Sequence, residues 1–270
     1  VFSNVQGVAA APPASGLVAS AVRPTVERWE TGLAWVPERC GTAYQLVPIC
    51  DEPAIGYVPP RPGSAYYQPV GLRIADECST LGGPVDLDRV RRVAEAQSPF
   101  AIARELWDGA LTKVDTYLVG GVTTSNAYLA SADAETVGAA AASARVGIGR
   151  LEQAALETSH GQPVYLHVPV LLLPQLDGYV RPIGQQLVTL AGNTIVADGG
   201  YPGTGPTGQA AGATVWTYAT SPVSVLTSSW DIEDDPSSVD HTVNTRTVWA
   251  ARLFAATFDP CVHLATEITL

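Results

Sequence analysis

The stretch DLDRVRRVAEAQSPFAIARELWDGAL, residues 86–111, decides the architecture. It follows the breaker run Gly82-Gly83-Pro84. Asp86 is a good N-cap, because its carboxylate can accept an N–H that the first helical turn leaves without a partner. Leu87, Val90, Ala94 and Gln97 mark one side of a helix, with Arg89 and Arg92 opposite. Ser98-Pro99 then reads as a restart, Ser98 as cap and Pro99 in the first turn. Phe100, Ala103, Leu106, Trp107, Ala110 and Leu111 make its apolar stripe. The pieces read either as two helices or as one long kinked helix.

Strand signals lie on both sides of this helix. Residues 26–78 are proline-rich and β-leaning, with Trp29, Trp35, Tyr44, Tyr57, Tyr66 and Tyr67 among their strand formers. Prolines keep those strands short and edge-like. The segment lacks a core of its own, which fits a projecting β-loop. Residues 1 to about 25 read as an extended arm without helical stripe, laid against another surface. Residues 112–132 read as loop. A second helix is expected from Asp133 to the stop at His160-Gly161. Val164–Val168 reads as a buried strand, and Pro169–Leu176 as a short helix start. Leu187–Leu190 and Thr194–Ala197 flank Gly192-Asn193 as a hairpin. Further strands are expected at 213–219, 223–226 and through 243–270, with an acidic loop at 231–235. Irregular alternation of helix and strand argues α+β.

Composition closes off other classes. Of 270 residues 46% are hydrophobic and 15% charged, the reverse of a disordered chain. The densest apolar run, 164–173, is too short to span a bilayer. The net charge is -11, and 14 of the 15 basic residues are arginines spread along the chain, so nothing resembles a phosphate-wrapping surface. The chain begins at Val1, read either as initiator removal or as maturation cleavage.

Catalytic, cofactor and metal assignments are all none. G-x-S-x-G, H-E-x-x-H and Walker A patterns are missing. Gly199–Pro206 has no following Gly-Lys-Ser/Thr and reads as a mobile surface loop. Gly147-Ile148-Gly149 lacks the third glycine of a dinucleotide fingerprint. His167 and His263 read as satisfied core or interface histidines. Asp231, Glu233, Asp234, Asp235 and His241 depart from calcium-loop spacing and read as a solvated acidic turn. Lys113, the only lysine, reads as a solvated charge. Cys40, Cys50, Cys78 and Cys261 read as buried thiols, with a Cys40–Cys50 bridge as the alternative.

Several segments resemble the major capsid proteins of tailed bacteriophages, the Hong Kong 97-type coat fold, most of all those of actinobacterial phages. They are RWETGLAWVPERCG (28–41), DECSTLGG (76–83), SPFAIARELWDGAL (98–111), PVYLHVPVLLLPQL (163–176), LAGNTIVADGGYPGTGP (190–206) and RLFAATFDPCVHLATEITL (252–270). The resemblance implies an N-terminal arm (1–27), an extended E-loop region (28–78) and a peripheral domain with spine helix (79–133). An axial domain (134–238) and C-terminal strands returning to the peripheral domain (239–270) complete the layout. It implies no enzyme activity and no cofactor. It implies a homo-oligomer: hexamers and pentamers of an icosahedral virion shell, assembled in the host cytoplasm. Scaffold, portal and decoration proteins are candidate accessory partners. Packaged double-stranded DNA would be held without sequence-specific contact, and no membrane is involved. The long cleaved scaffolding region of some family members has no counterpart here, implying a separate scaffold or a processed Val1. A lone lysine speaks against the covalent chainmail of the type member. The alternatives are an encapsulin-like compartment shell, a minor head or tail protein, and an α+β hydrolase.

Overall fold

A computed structural model describes residues 11, 13–37, 65–79, 86–112, 117–119, 122–138, 142–233, 239–240, 242 and 245–270. In chain order it begins with a one-turn helix α1 (Leu17–Ser20) and strands β1 (Leu33–Trp35), β2 (Ala65–Tyr67) and β3 (Val70–Ser79). Helix α2 (Leu87–Asp108) precedes β4 (Tyr117–Val119), β5 (Val122–Thr124) and β6 (Glu135–Thr136). Helix α3 (Ala144–Thr158) leads into β7 (Tyr165–Pro169), β8 (Val180–Ile183), β9 (Gln186–Thr189), β10 (Thr194–Asp198) and β11 (Thr214–Thr220). Strands β12 (Ser224–Thr227), β13 (Asp231–Glu233), β14 (Val239–Asp240), β15 (Thr245–Thr257) and β16 (His263–Thr269) end the chain.

The large sheet has the order β6-β16-β11-β7-β10-β9-β8, and its β7–β10 and β6–β16 pairs are parallel. The small sheet is built around the thirteen-residue β15. One edge of β15 pairs with β3 along ten residues, and the other with β12, β13 and β14 in turn. Two antiparallel ribbons, β1–β2 and β4–β5, complete the strand pairing.

Alternation along the central strands creates two cores. On one face Leu166, Val168, Val215, Ala219, Leu264 and Ile268 meet Ile148, Leu151 and Ala155 of α3. Gly147 permits this approach, since a Cβ there would lie 3.0 Å from the Ile268 side chain. On the other face Tyr165, Val196, Tyr218 and Ala265 meet Ile102, Ala103, Leu106 and Trp107 of α2. The N-terminal half of α2 instead places Val90 and Ala94 on Ile74, Val248 and Ala250 of the small sheet. One helix thus serves both sheets.

Pro99 lies inside α2, which is therefore the single long helix and not two. Ser98 is not an N-cap. Proline has no N–H to give the carbonyl four residues back, which is that of Glu95. The Ser98 hydroxyl reaches this carbonyl at 3.5 Å and accepts at 2.8 Å from Arg252 Nη2. Asp86 caps as expected, its Oδ1 accepting from the Arg89 N–H at 2.9 Å. At the other end Gly109 is left-handed, and the Glu105 carboxylate accepts the N–H groups of Leu111 and Thr112.

Other expectations are corrected. The second helix starts at Ala144, not Asp133. Upstream, Glu135–Thr136 pairs with β16, and the Val137 N–H donates to the Ala265 carbonyl at 2.7 Å, so tertiary pairing overrides local helix preference. The β3 strand is long, because β15 offers it a full-length partner. Asp231–Glu233 forms a strand on β15 instead of a loop. The closing stretch 239–270 is divided, β15 lying in the small sheet and β16 in the large one. Cys261, half-buried in the β15–β16 turn, is disulfide-bonded and not a free thiol. Cys40, Cys50, Lys113, Asp234, Asp235 and His241 lie outside the described residues.

Candidate assembly surfaces

Two groups of buried polar side chains, around Glu152 and around His167, form internal hydrogen-bond networks. Glu152 of α3 is buried, and its Oε1 accepts from the Thr189 hydroxyl and, at 2.7 Å, from Asn193 Nδ2. Its Oε2 accepts from the Tyr179 hydroxyl. Burial and this carboxylate push the Tyr179 phenol up. Asn193 Oδ1 in turn accepts the Val164 N–H at 3.2 Å. One carboxylate thereby ties α3 to the β9–β10 turn and, through Asn193, to the start of β7.

His167 stands between the Tyr201 hydroxyl and Thr220 Oγ1, each at 2.9 Å. Thr220 donates its own proton to the Ser221 carbonyl, so it accepts from His167 Nε2–H, and Nδ1 accepts from Tyr201. Complete burial and the neighbouring His263 push the His167 imidazole down to about 3. Burial also lowers His263, whose Nε2 donates to the Leu129 carbonyl at 2.9 Å. Both histidines are neutral core residues, as their apolar strands suggested. Among the described residues no group of three or more His, Cys, Asp or Glu side chains could hold a metal. None of their helices is long and apolar enough to cross a membrane.

Residues 17–22, within the segment expected to be an extended arm, pack on the rest of the chain. Leu17 is fully buried in the α2 core, and its N–H donates to Asp198 Oδ2 at 2.9 Å. Burial raises the Asp198 carboxyl, while the N–H groups of Gly200 and Leu17 pull it back. The Ser20 carbonyl accepts from Tyr165 at 2.6 Å, and Val22 exchanges two backbone hydrogen bonds with Val223 and Val225. Sequence reading missed this anchor, because its partners lie far along the chain.

Gly199–Pro206 is not a mobile surface loop. Tyr201, Gly203, Gly205 and Pro206 are buried. The Thr204 carbonyl accepts from Tyr218 at 3.0 Å, and Thr204 Oγ1 accepts from Trp107 Nε1 at 2.9 Å. Gly200 sits against α2 so closely that a Cβ would lie 2.6 Å from the Phe100 carbonyl oxygen.

Several large apolar side chains remain outside. Val36, Phe100, Ile183 and Leu190 are all more than half exposed. A groove of about 510 Å³ runs between Val22, the β1 residues Ala34 and Trp35, and Pro222. A second trough, of about 450 Å³, lies on the small sheet over Gly71, Arg73, Ala251 and Leu253. This is the sheet face opposite α2, and among the described residues Trp29 and Leu33 cover its far end, packing on Leu226, Leu253 and Ala255. Such surfaces suit contact with other chains better than chemistry on a small molecule.

No known family profile matches the sequence, and neither does any curated protein. The fold has counterparts among solved structures. The capsid of an empty GTA particle aligns with TM-score 0.54 and 11% identity, over 100% of this chain and 94% of that one. A structure from Gordonia phage Cozz aligns with TM-score 0.55 and 12% identity, over 100% of this chain and 90% of its own. The capsid of Ralstonia phage GP4 gives 0.50 and 10%, over 100% and 95%. The chain therefore has the α+β fold of these capsid chains, the fold that the sequence resemblance implied.

Proposed function

We propose that this chain is a structural coat subunit that self-assembles into hexamers and pentamers of an icosahedral phage head around double-stranded DNA. The observation that carries the reading is the match of its whole length to chains of assembled capsids, at nearly the whole length of those chains. The exposed apolar side chains support it, since a shell subunit must offer much of its surface to other copies. The internal networks support a scaffold role over catalysis: their hydrogen bonds close on the protein itself.

In this reading residues 1–27 are the arm, whose anchored part begins near Gly16, and 28–78 carry the E-loop. Residues 79–133 form the peripheral domain around α2, 134–238 the axial domain, and 239–270 strands shared between them. The subunit works in the virion, with scaffold, portal and decoration proteins as accessory partners. Light scattering and electron microscopy of the purified full-length chain test the proposal. Closed shells, or capsomers that close on addition of a scaffold, are expected. A monomer of unchanging size under all conditions would overturn it. Nuclease-protected DNA in source particles separates a phage head from an enzyme-filled compartment.

A further inference from the structure

Cys261 sits half-buried in the turn between β15 and β16 and is disulfide-bonded. The other sulfur belongs to Cys40, Cys50 or Cys78. Strand register removes Cys78. On β3 it stands opposite Arg246, near the start of β15, whereas Cys261 follows the far end of that strand at Thr257. At about 3.3 Å per residue, Arg246 and Thr257 lie roughly 35 Å apart. The short run from Thr257 to Cys261 can return at most about 14 Å of that. A disulfide needs Cα atoms within about 7 Å, so Cys78 cannot reach.

Cys40 and Cys50 both belong to the connection between β1 and β2, outside the described residues. The two ends of that connection are described, and both lie beside the turn that carries Cys261. Trp35 and Ala65 pair as the last rung of the β1–β2 ribbon. Tyr67 of β2 donates its hydroxyl to the Phe258 carbonyl at 2.6 Å. Trp35 and Val36 line the same groove as Asp259, and Ala65 lines a second pocket with Pro260. The connection therefore leaves and re-enters the fold next to residues 258–260, immediately before Cys261. This turn is also the junction of the two sheets, since β15 belongs to the small one and β16 to the large one. We propose that Cys261 is bonded to a cysteine of this connection, Cys40 or Cys50, and that the bond is a redox-dependent staple between the connection and the sheet junction. A small disulfide such as oxidised glutathione closes it by thiol–disulfide exchange: the two protein thiols are oxidised to one disulfide, and the oxidant takes up their two electrons and two protons and leaves as two thiols.

Tryptic mapping of the full-length chain without reductant tests the pairing. Cleavage follows Arg39 and Arg73, while Arg61 is protected by Pro62, so Cys40 and Cys50 stay together in peptide 40–73. Cys78 falls in 74–89 and Cys261 in 253–270. The expected result is 40–73 linked to 253–270, with Cys78 open to alkylation. A link between 74–89 and 253–270, or a Cys40–Cys50 bridge with Cys261 alkylated, would overturn the pairing. Dithiothreitol should lower the urea midpoint of the oxidised chain by about 1 M. Cys261→Ser should start at that lower midpoint and ignore the reductant. One of Cys40→Ser and Cys50→Ser should match it, which names the partner, and Cys78→Ser should respond as the native chain does. A midpoint that reduction leaves unmoved would overturn the staple, as would a response lost in Cys78→Ser alone. None of these readouts depends on assembly, so the pairing and the shell reading stand or fall separately.

Discussion

Replacing Glu152 by leucine removes the acceptor from three donors, two of which cannot reach water. The Thr189 hydroxyl and the Asn193 amide sit at 0% and 4% exposure. A buried donor left without an acceptor costs about 1–3 kcal/mol, so these two cost roughly 2–6 kcal/mol together. The Tyr179 hydroxyl is only half-buried and can turn to solvent. Removing a carboxylate also relieves its own desolvation, which recovers part of the loss. The net expectation is about 3 kcal/mol of destabilisation. For a chain of this size that is a fall in Tm of roughly 6–12 °C. Urea unfolding of dissociated subunits, followed by tryptophan fluorescence, measures it. Hydrogen exchange should show loosening at Thr189–Asn193 and at Val164, the groups that the carboxylate holds directly or through Asn193. Adding Thr189→Val to Glu152→Leu deletes one stranded donor and should recover about 1 kcal/mol. Glu152→Gln keeps one accepting oxygen and should cost only about 1 kcal/mol. An unfolding midpoint for Glu152→Leu equal to that of the native chain would refute the reasoning, since the clamp would then be energetically neutral.

Leu17→Ala should destabilise the isolated chain by about 2–5 kcal/mol, as a cavity in the core does; a native unfolding midpoint would contradict the anchor at Leu17. Gly200→Ala drives a methyl group into the α2 backbone and should cost about 1–3 kcal/mol; a native-like melting curve would show that the corner can shift freely. His167 is neutral in the fold down to about pH 3 but titrates near 6.5 when unfolded. Below pH 6.5 the unfolded chain binds the extra proton, so stability is retained above that pH and falls by about 1.4 kcal/mol per unit towards pH 3. His167→Asn should flatten that acid limb in a pH series of urea midpoints, and an unchanged slope counts against it. Peptide mapping without reductant should find the Cys261 peptide linked to one bearing Cys40, Cys50 or Cys78; a quantitatively alkylated Cys261 thiol would disprove the bridge.

Local chemistry made some of this structure readable. The buried strand at 164–168, the Gly192-Asn193 turn and the strands of the closing stretch stand where their residues suggested. Asp86 caps α2 because an N-cap is a contact over three residues. The misread segments are those decided at a distance. Residues 133–137 carry helix-compatible residues, yet their partner is a strand some 130 residues later, which no local pattern contains. The glycines after β10 look like a flexible loop in one dimension, while Gly200 is small because α2 lies against it. Glu152 and Asp198 gave no signal, since an isolated carboxylate in an amphipathic pattern looks like a solvated one.

The break in α2 at Pro99 has a mechanical meaning. A rod stiffened by regular rungs bends most easily where one rung is missing, and Glu95 to Pro99 is that place. On one side of it the helix is bolted to the small sheet, on the other to the large sheet. Flexing there changes the angle between the two sheets while leaving each packed layer intact. The Arg252–Ser98 hydrogen bond crosses the same point from β15 and acts as a stay that limits the bend. Bending of α2 is thereby favoured over the five residues from Glu95 to Pro99, braced by one guanidinium.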